Sequence, residues 1–313
     1  MDRTSIVALV GTLLLSAVCC AAVGNTRAQL ASNEMAIEIY GGYLVVAQGS
    51  VNNAKNLRFL LDTGATNTAI DRRVAERLGL HGQPAKVINL DKTVDLESAE
   101  VEEITFGPER IRNAPVMIED LGYFRSTGLH VDGVIGLDQL SKQNFLVDYA
   151  RKRVLFDSTS MSGRTSMSNL TSKFDSRSMF GPTAAAEMRS VPMRSDARSI
   201  TVEVALDDRP VWMVADTGTR GILLYEDTLK DLLANYRLEG RTSAASLGGP
   251  FENRLAIVPR LRLGGQDLDR EVVLISAPGA RKFSGVSGYL GLASLDAKQV
   301  AFSFETNQLL WRK

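Results

Sequence analysis

Short alternations of apolar and polar residues, interrupted by polar turns, run along most of the chain and are typical of β-strands. Two β-hairpins are predicted, with their turns at residues 52–53 and 207–208. A short helical pattern follows each hairpin, at residues 72–78 and 226–234. The pattern therefore predicts a mostly β protein with short helices.

Two motifs of this pattern occur twice in the same order. The tripeptide Asp-Thr-Gly follows an apolar strand at Asp62 and again at Asp216, 154 residues later. A second motif, two apolar residues and a glycine, occurs at residues 134–136 and again at residues 289–291, 155 residues later. Two separate motifs that repeat at nearly the same offset indicate two copies of one structural unit.

The repeat divides the chain into four predicted parts. The two β lobes span residues 29–157 and 200–313 and are related by a pseudo-twofold axis. Between them, residues 158–199 contain 11 serines and five of the nine methionines without a sustained period, which predicts a flexible linker. Residues 1–28 form the fourth part.

The N-terminal part contains an uncharged apolar run at residues 6–23, preceded by one arginine and followed by small residues. This pattern is typical of a secretory signal peptide that is cleaved near Ala28, which predicts a periplasmic or secreted protein. An uncleaved signal anchor is the alternative, since about 18 apolar residues can span a bilayer, and it would tether the protein to a membrane.

Composition excludes several kinds of chemistry. The chain has two histidines and two cysteines, too few to form a His/Cys metal cluster, and the two cysteines are adjacent at Cys19 and Cys20. Its 36 basic and 36 acidic residues balance, so no charge excess points to nucleic acid. No cofactor motif is present. The groups left to carry out catalysis are carboxylates, hydroxyls, backbone groups or a single histidine.

The repeated aspartates are the candidate catalytic residues. A single Asp-Thr-Gly is most often a turn, but two copies at equivalent places in two facing lobes would bring Asp62 and Asp216 together. Two adjacent carboxylates hold one proton between them, and the pair can activate a water molecule and protonate a carbonyl oxygen. The neighbours predicted to support the pair are Thr63, Gly64, Ala65, Thr217, Gly218 and Thr219. The two threonines that follow the aspartates are expected to bond across to the opposite loop.

Through these motifs the sequence resembles the retropepsin-like and pepsin-like aspartic proteases. The first half is most similar to bacterial retropepsin-like aspartyl proteases, in FLLDTGATNTAI at residues 59–70 and DGVIGLDQL at residues 132–140. The resemblance implies a bilobal acid-protease fold, an Asp62–Asp216 dyad braced by the two apolar-Gly strands, and an endopeptidase acting on peptides or proteins. The arrangement of both lobes in one chain implies a monomer, and exchange of lobes between two molecules is the alternative.

The substrate cover departs from the family pattern. Residues 86–101, where a flap tyrosine is expected, contain no tyrosine and no glycine, and the tip is predicted at Asp91 and Lys92. The second lobe has a better turn sequence at Gly248 and Gly249. These four residues are the predicted substrate-cleft residues. The unusual cover also leaves open a catalytically weak or inactive peptide-binding module on the same fold.

Overall fold

The computed structural model of the chain describes residues 33–89, 92–157, 188–196, 198–246, 249–258, 260–268, 271–276 and 285–313. Over these residues the chain is mostly β, with short helices and two repeated lobes, which confirms the predicted fold class. The predicted signal segment, residues 1–28, lies outside the described residues. In the described part of the chain, no helix has the length and apolar character needed to span a membrane.

The two lobes contain the same elements in nearly the same order. The described elements of lobe one are strands β1 (Glu34–Tyr40), β2 (Leu44–Val51), β3 (Ala54–Leu61), β4 (Ala69–Asp71), β5 (Gln83–Asn89), β6 (Lys92–Phe106), β7 (Glu109–Glu119), β8 (Gly133–Ile135), β9 (Phe145–Asp148) and β10 (Arg153–Phe156), and helices α1 (Arg72–Arg77), α2 (Gly122–Ser126) and α3 (Leu137–Leu140). Those of lobe two are strands β11 (Arg189–Ser195), β12 (Ile200–Leu206), β13 (Arg209–Asp216), β14 (Ile222–Leu224), β15 (Arg237–Ser246), β16 (Gly249–Val258), β17 (Leu261–Leu263), β18 (Gln266–Asp267), β19 (Glu271–Ser276), β20 (Gly288–Gly291), β21 (Gln299–Ser303) and β22 (Gln308–Arg312), helix α4 (Glu226–Leu233) and a 3₁₀ helix (Leu292–Leu295).

The predicted hairpins and first helix form as the local sequence dictates. Strands β2 and β3, and strands β12 and β13, are joined at the predicted turns, where Asn52, Asp207 and Asp208 have positive φ. Asn and Asp tolerate this backbone conformation better than most residues do. Asp71 caps α1, because its side chain accepts a hydrogen bond from the amide of Arg73 (3.0 Å).

One antiparallel sheet joins the two lobes. Its strands lie in the order β1, β10, β9, β21, β22, β11, so each lobe contributes three. At its centre Leu146 of β9 faces Ala301 of β21, and beside this pair the rings of Phe145 and Phe302 stack with their centroids 4.8 Å apart. Leu146 and Ala301 are 155 residues apart, the offset of the sequence repeat, so the pseudo-twofold axis passes through this pair.

The linker prediction is wrong at its C-terminal end. Residues 189–195 form β11, which pairs with β22 on one side and with β12 on the other. In this strand only Val191 and Met193 are buried, so its apolar content is too low to stand out from a Ser- and Arg-rich stretch. Residues 158–187 of the predicted linker lie outside the described residues.

Each lobe projects a long hairpin, β5–β6 in lobe one and β15–β16 in lobe two, which are termed the lobe-one hairpin and the lobe-two hairpin. The base of each is tied to the adjacent helix by an ion pair. In lobe one Arg72 binds Glu97 (2.8 Å), and in lobe two Glu226 binds Arg254 (2.7 Å), with the charges exchanged. These exposed pairs hold the orientation of the hairpins rather than contributing much stability.

Candidate active site

Each Asp-Thr-Gly tripeptide stands where a buried strand leaves the core of its lobe. Asp62 directly follows β3, and Asp216 is the last residue of β13. The amide of Asp62 donates to the carbonyl of Ile135 (3.0 Å), and Asp216 lies opposite Gly291 in a parallel pairing. Strands β8 and β20, which carry the second repeated motif, therefore lie beside the two loops and fix the start of each.

The glycine of the second motif is required by a close approach of backbones. A Cβ atom on Gly136 would lie 2.5 Å from the carbonyl carbon and oxygen of Asn67. On Gly291 it would lie 2.4 Å from the carbonyl oxygens of Thr219 and Gly221. No side chain fits at either position, which explains why the motif ends in glycine in both lobes.

The two threonines join the loops of the two lobes. The amide of Thr63 donates to the hydroxyl oxygen of Thr217 (3.0 Å), and the amide of Thr217 donates to that of Thr63 (3.0 Å). Each hydroxyl then donates across the interface, Thr63 to the carbonyl of Ala215 (2.8 Å) and Thr217 to that of Leu61 (2.9 Å). Both threonines are buried, so these four bonds are shielded from water and fix the relative position of the loops.

The same arrangement brings each aspartate against the opposite loop. A Cβ atom on Gly64 would lie 2.5 Å from Cγ of Asp216, and a Cβ atom on Gly218 would lie 2.6 Å from Cγ of Asp62. The carboxyl group of each lobe thus occupies the space where a side chain would lie if the glycine of the other lobe were a larger residue. Each carboxyl group therefore lies against the loop that carries the other one.

The two carboxyl groups have different hydrogen-bond partners. Oδ1 of Asp62 accepts bonds from the amides of Gly64 (2.8 Å) and Ala65 (3.2 Å). Oδ1 of Asp216 accepts a bond from the amide of Gly218 (2.7 Å), and its Oδ2 accepts one from the hydroxyl of Thr219 (2.7 Å). Ala65, the counterpart of Thr219, has no hydroxyl to donate, so the environment of the pair is asymmetric.

Tyrosines around the pair were not identified from the sequence. Burial, with a contribution from Asp216, raises the pKa of Tyr43, while Arg220 opposes the shift. Burial also raises the pKa of Tyr289 well above its usual value, with smaller contributions that include both aspartates. The pair is therefore flanked by uncharged phenols. Tyr43 follows two glycines in a turn. An aromatic residue at the tip of a predicted loop was the only feature of the sequence that could have indicated it.

Two of the four predicted cleft residues are described, and each lies at the tip of a hairpin. Lys92 is the first residue of β6, opposite Asn89, and Gly249 is the first residue of β16, opposite Ser246. Asp91 and Gly248 lie outside the described residues. The lobe-two hairpin lies beside lobe one, since β15 contacts α2. Whether the four residues contact substrate stays a prediction.

The described residues contain no group of three or more His, Cys, Asp or Glu side chains arranged to hold a metal ion. The chemistry that this site offers comes from two carboxyl groups, each packed against the loop of the other lobe, and from the hydrogen-bond donors around them.

Comparison with known proteins agrees with this geometry. The aspartyl protease family model matches the chain twice, at residues 47–139 and 202–293, and the two matches together cover more than half of its length. Each match contains one Asp-Thr-Gly loop and the apolar-Gly strand that braces it. No curated protein matches the chain. The chain belongs to the aspartyl protease family, with two copies of the family's domain in one polypeptide.

Proposed function

We propose that this protein is an aspartic endopeptidase in which Asp62 and Asp216 form the catalytic dyad. The observation that carries the proposal is the reciprocal packing of each carboxyl group against the glycine of the opposite loop. Membership of the aspartyl protease family supports a peptide or protein as the substrate.

The proposed reaction uses the dyad as a paired acid and base. One carboxylate takes a proton from a bound water, whose oxygen adds to the carbonyl carbon of the scissile amide. The other carboxyl group, which is protonated, donates its proton to the carbonyl oxygen. When the tetrahedral intermediate collapses, the C–N bond breaks, the leaving nitrogen receives a proton from one carboxyl group, and a hydroxyl of the intermediate returns its proton to the other carboxylate. The backbone amides of Gly64 and Gly218 stabilise the charged form of each carboxyl group.

Hydrolysis of a mixed peptide library by the purified protein, measured by mass spectrometry from about pH 3 to 8, tests the proposal. We expect internal cleavage with a bell-shaped dependence of rate on pH, and inhibition by pepstatin, whose hydroxyl stands in for the attacking water. Absence of cleavage together with retained peptide binding would instead identify the inactive binding module, which shares this fold.

The hydroxyl of Thr219 gives a prediction about activity. Thr219→Val removes the bond to Oδ2 of Asp216 but keeps the shape of the side chain. Because a hydrogen bond to a charged group contributes about 1.5–3 kcal/mol, its loss should lower kcat/KM for peptide hydrolysis by about tenfold or more, which steady-state kinetics measures.

The matched control for this prediction is Thr66→Val, in the equivalent loop of lobe one. The hydroxyl of Thr66 donates to the carbonyl of Arg198 (3.0 Å) and to no carboxylate. Its kcat/KM should match that of the wild type. An unchanged kcat/KM in Thr219→Val would show that this bond does not influence the dyad.

We further propose that the protein is exported and acts as a monomer. The apolar run at residues 6–23 supports export. N-terminal sequencing of the protein recovered from its native host distinguishes a signal peptide cleaved near Ala28 from an uncleaved anchor. The six-stranded sheet and the threonine bonds between lobes of one chain support a monomer. Specific activity that is independent of protein concentration would distinguish it from a pair of molecules with exchanged lobes.

A further inference from the structure

Glu119, the last residue of β7, is a buried acid that the dyad does not use. Its exposed fraction is 3%. Neither of its carboxyl oxygens has a hydrogen-bond partner among the described residues. A carboxyl group in this situation is costly, and the few such groups in native proteins commonly have a functional reason.

The side chain of Glu119 lies on the face of lobe one that carries the active site. Along β7, Val116 and Ile118 pack into the main core, and residues alternate between the two faces of a strand. Glu119 therefore faces the opposite side, where a smaller apolar cluster includes Ala65, next to the dyad, and has Tyr123 packed against it.

Tyr123 of α2 connects Glu119 with the dyad. Burial raises the pKa of this phenol, and the next contributions come from Glu119 and then Asp62. The phenol thus lies within electrostatic range of both carboxyl groups. Ile118 is the last residue of β7 that pairs with β6, opposite Glu97. Glu119 consequently stands at the base of the lobe-one hairpin, where the hairpin separates from the sheet.

The basic residues near Glu119 are engaged with other acids. Arg73 binds Asp71 (2.7 Å), and Arg125 lies between Asp71 (3.6 Å) and Asp120 (3.7 Å). Burial raises the pKa of Glu119 to about 8, with smaller contributions from Asp120 and Asp71. Among the residues that the structure describes, Glu119 has acidic neighbours and no paired cation.

The corresponding position of lobe two shows that the fold does not require an acid here. Gly133 of β8 pairs with Ile70 and Gly288 of β20 pairs with Leu224, which fixes the equivalence of the two lobes. The pairing of β4 with β7 and of β14 with β19 then places Glu119 and Ser276 at equivalent positions. Ser276 is also buried. The carboxyl group is therefore a property of lobe one alone.

We propose that Glu119 is a specificity-determining residue that receives the positively charged side chain of a lysine or arginine in a peptide bound beneath the lobe-one hairpin. The proposal rests on the proposed peptidase function. A positively charged side chain of the substrate would form an ion pair with Glu119. Because the site is buried, an apolar side chain would leave the acid without a partner, and the site therefore selects for the cation.

Matched peptides that carry either lysine or norleucine test this inference. Norleucine has the same aliphatic chain without the ammonium group, and the pair is placed in turn at each position around the scissile bond. We expect the wild type to prefer lysine at one position by about tenfold or more in kcat/KM. Glu119→Gln should bring the ratio near one. The wild-type preference should be largest near pH 8 and weaken as the pH falls, because the raised pKa of Glu119 leaves its carboxyl group protonated at lower pH.

Two further variants make the result specific. Asp120→Asn removes an exposed carboxylate one residue away and should keep the preference for lysine. Glu119→Ser introduces the residue found at the equivalent position of lobe two, and it should lose the preference as Glu119→Gln does. No preference for lysine at any position in the wild type, the wild-type preference retained in both Glu119 variants, or the same loss in Asp120→Asn would overturn the inference.

Binding measurements separate this inference from the proposed function. Fluorescence anisotropy measures the affinity of the lysine and norleucine peptides for the Asp62→Asn variant and for the Asp62→Asn, Glu119→Gln double variant, so that binding is observed without cleavage. A preference for lysine that disappears with Glu119→Gln supports the inference even if the wild type cleaves no peptide. Cleavage without any such preference supports the peptidase and overturns the role of Glu119.

Discussion

Asp62→Asn and Asp216→Asn should each lower kcat/KM for peptide hydrolysis by about 10⁴-fold, and the double variant should be no less active than either one. Each carboxyl group is half of one acid–base pair, so removal of either abolishes the shared proton and the function of the other. An asparagine keeps the size of the side chain and its capacity to accept the bonds from Gly64 or Gly218, which limits the structural change.

The control for this result is Asp208→Asn, in the β12–β13 turn, where the side chain is exposed and binds Arg260 (2.7 Å). Its activity should match that of the wild type, since Asn also tolerates positive φ. Thermal unfolding of each variant excludes loss of the fold as the cause. Wild-type activity in either dyad variant would contradict the mechanism.

Gly64→Ala should lower kcat/KM by about 10²-fold or more, with Gly218→Ala having a similar effect. The new methyl group would lie 2.5 Å from Cγ of Asp216 or 2.6 Å from Cγ of Asp62, far inside contact distance, so the carboxyl group must move. A displacement of about 1 Å in a catalytic group commonly costs about 10²-fold in rate.

Gly221→Ala is the matched control. Gly221 lies in the same loop as Gly218, and a Cβ atom on Gly221 would have no atom within 4 Å. Steady-state kinetics on one peptide substrate compare the three variants. If Gly64→Ala and Gly221→Ala were equally active, the carboxyl groups would not be packed against the opposite loops as described.

The repeated tripeptide was the part of the site that sequence could identify, because the chemistry of Asp62 and Asp216 depends on local motifs that occur twice. The turns at residues 52–53 and 207–208 were identifiable for the same reason, since Asn and Asp there suit the local backbone. In these places the information is contained within a few neighbouring residues.

Two features that depend on distant contacts and have no repeated motif were not predicted. Strand β11 has only two buried residues, and its place at an edge of the central sheet depends on β22, which lies more than 100 residues away. Glu119 ends an alternating strand as an ordinary polar residue would. Its burial arises from the packing of α2 and β4 around it. The spacing of apolar and polar residues along the chain does not indicate that packing. An acid placed directly after an apolar alternation was the only signal.

The central sheet has a consequence for how the site can change. In a dimer of identical chains, every substitution near the axis occurs on both sides of the cleft. Here β9 and β21 belong to one polypeptide, so their pairing keeps the symmetry of the backbone while the two halves mutate independently. Thr219 can differ from Ala65, and Glu119 from Ser276, without a second copy of either change. Joining the lobes in one chain therefore allows an asymmetric peptide, with its distinct amino and carboxyl directions, to meet a cleft whose two sides are chemically different.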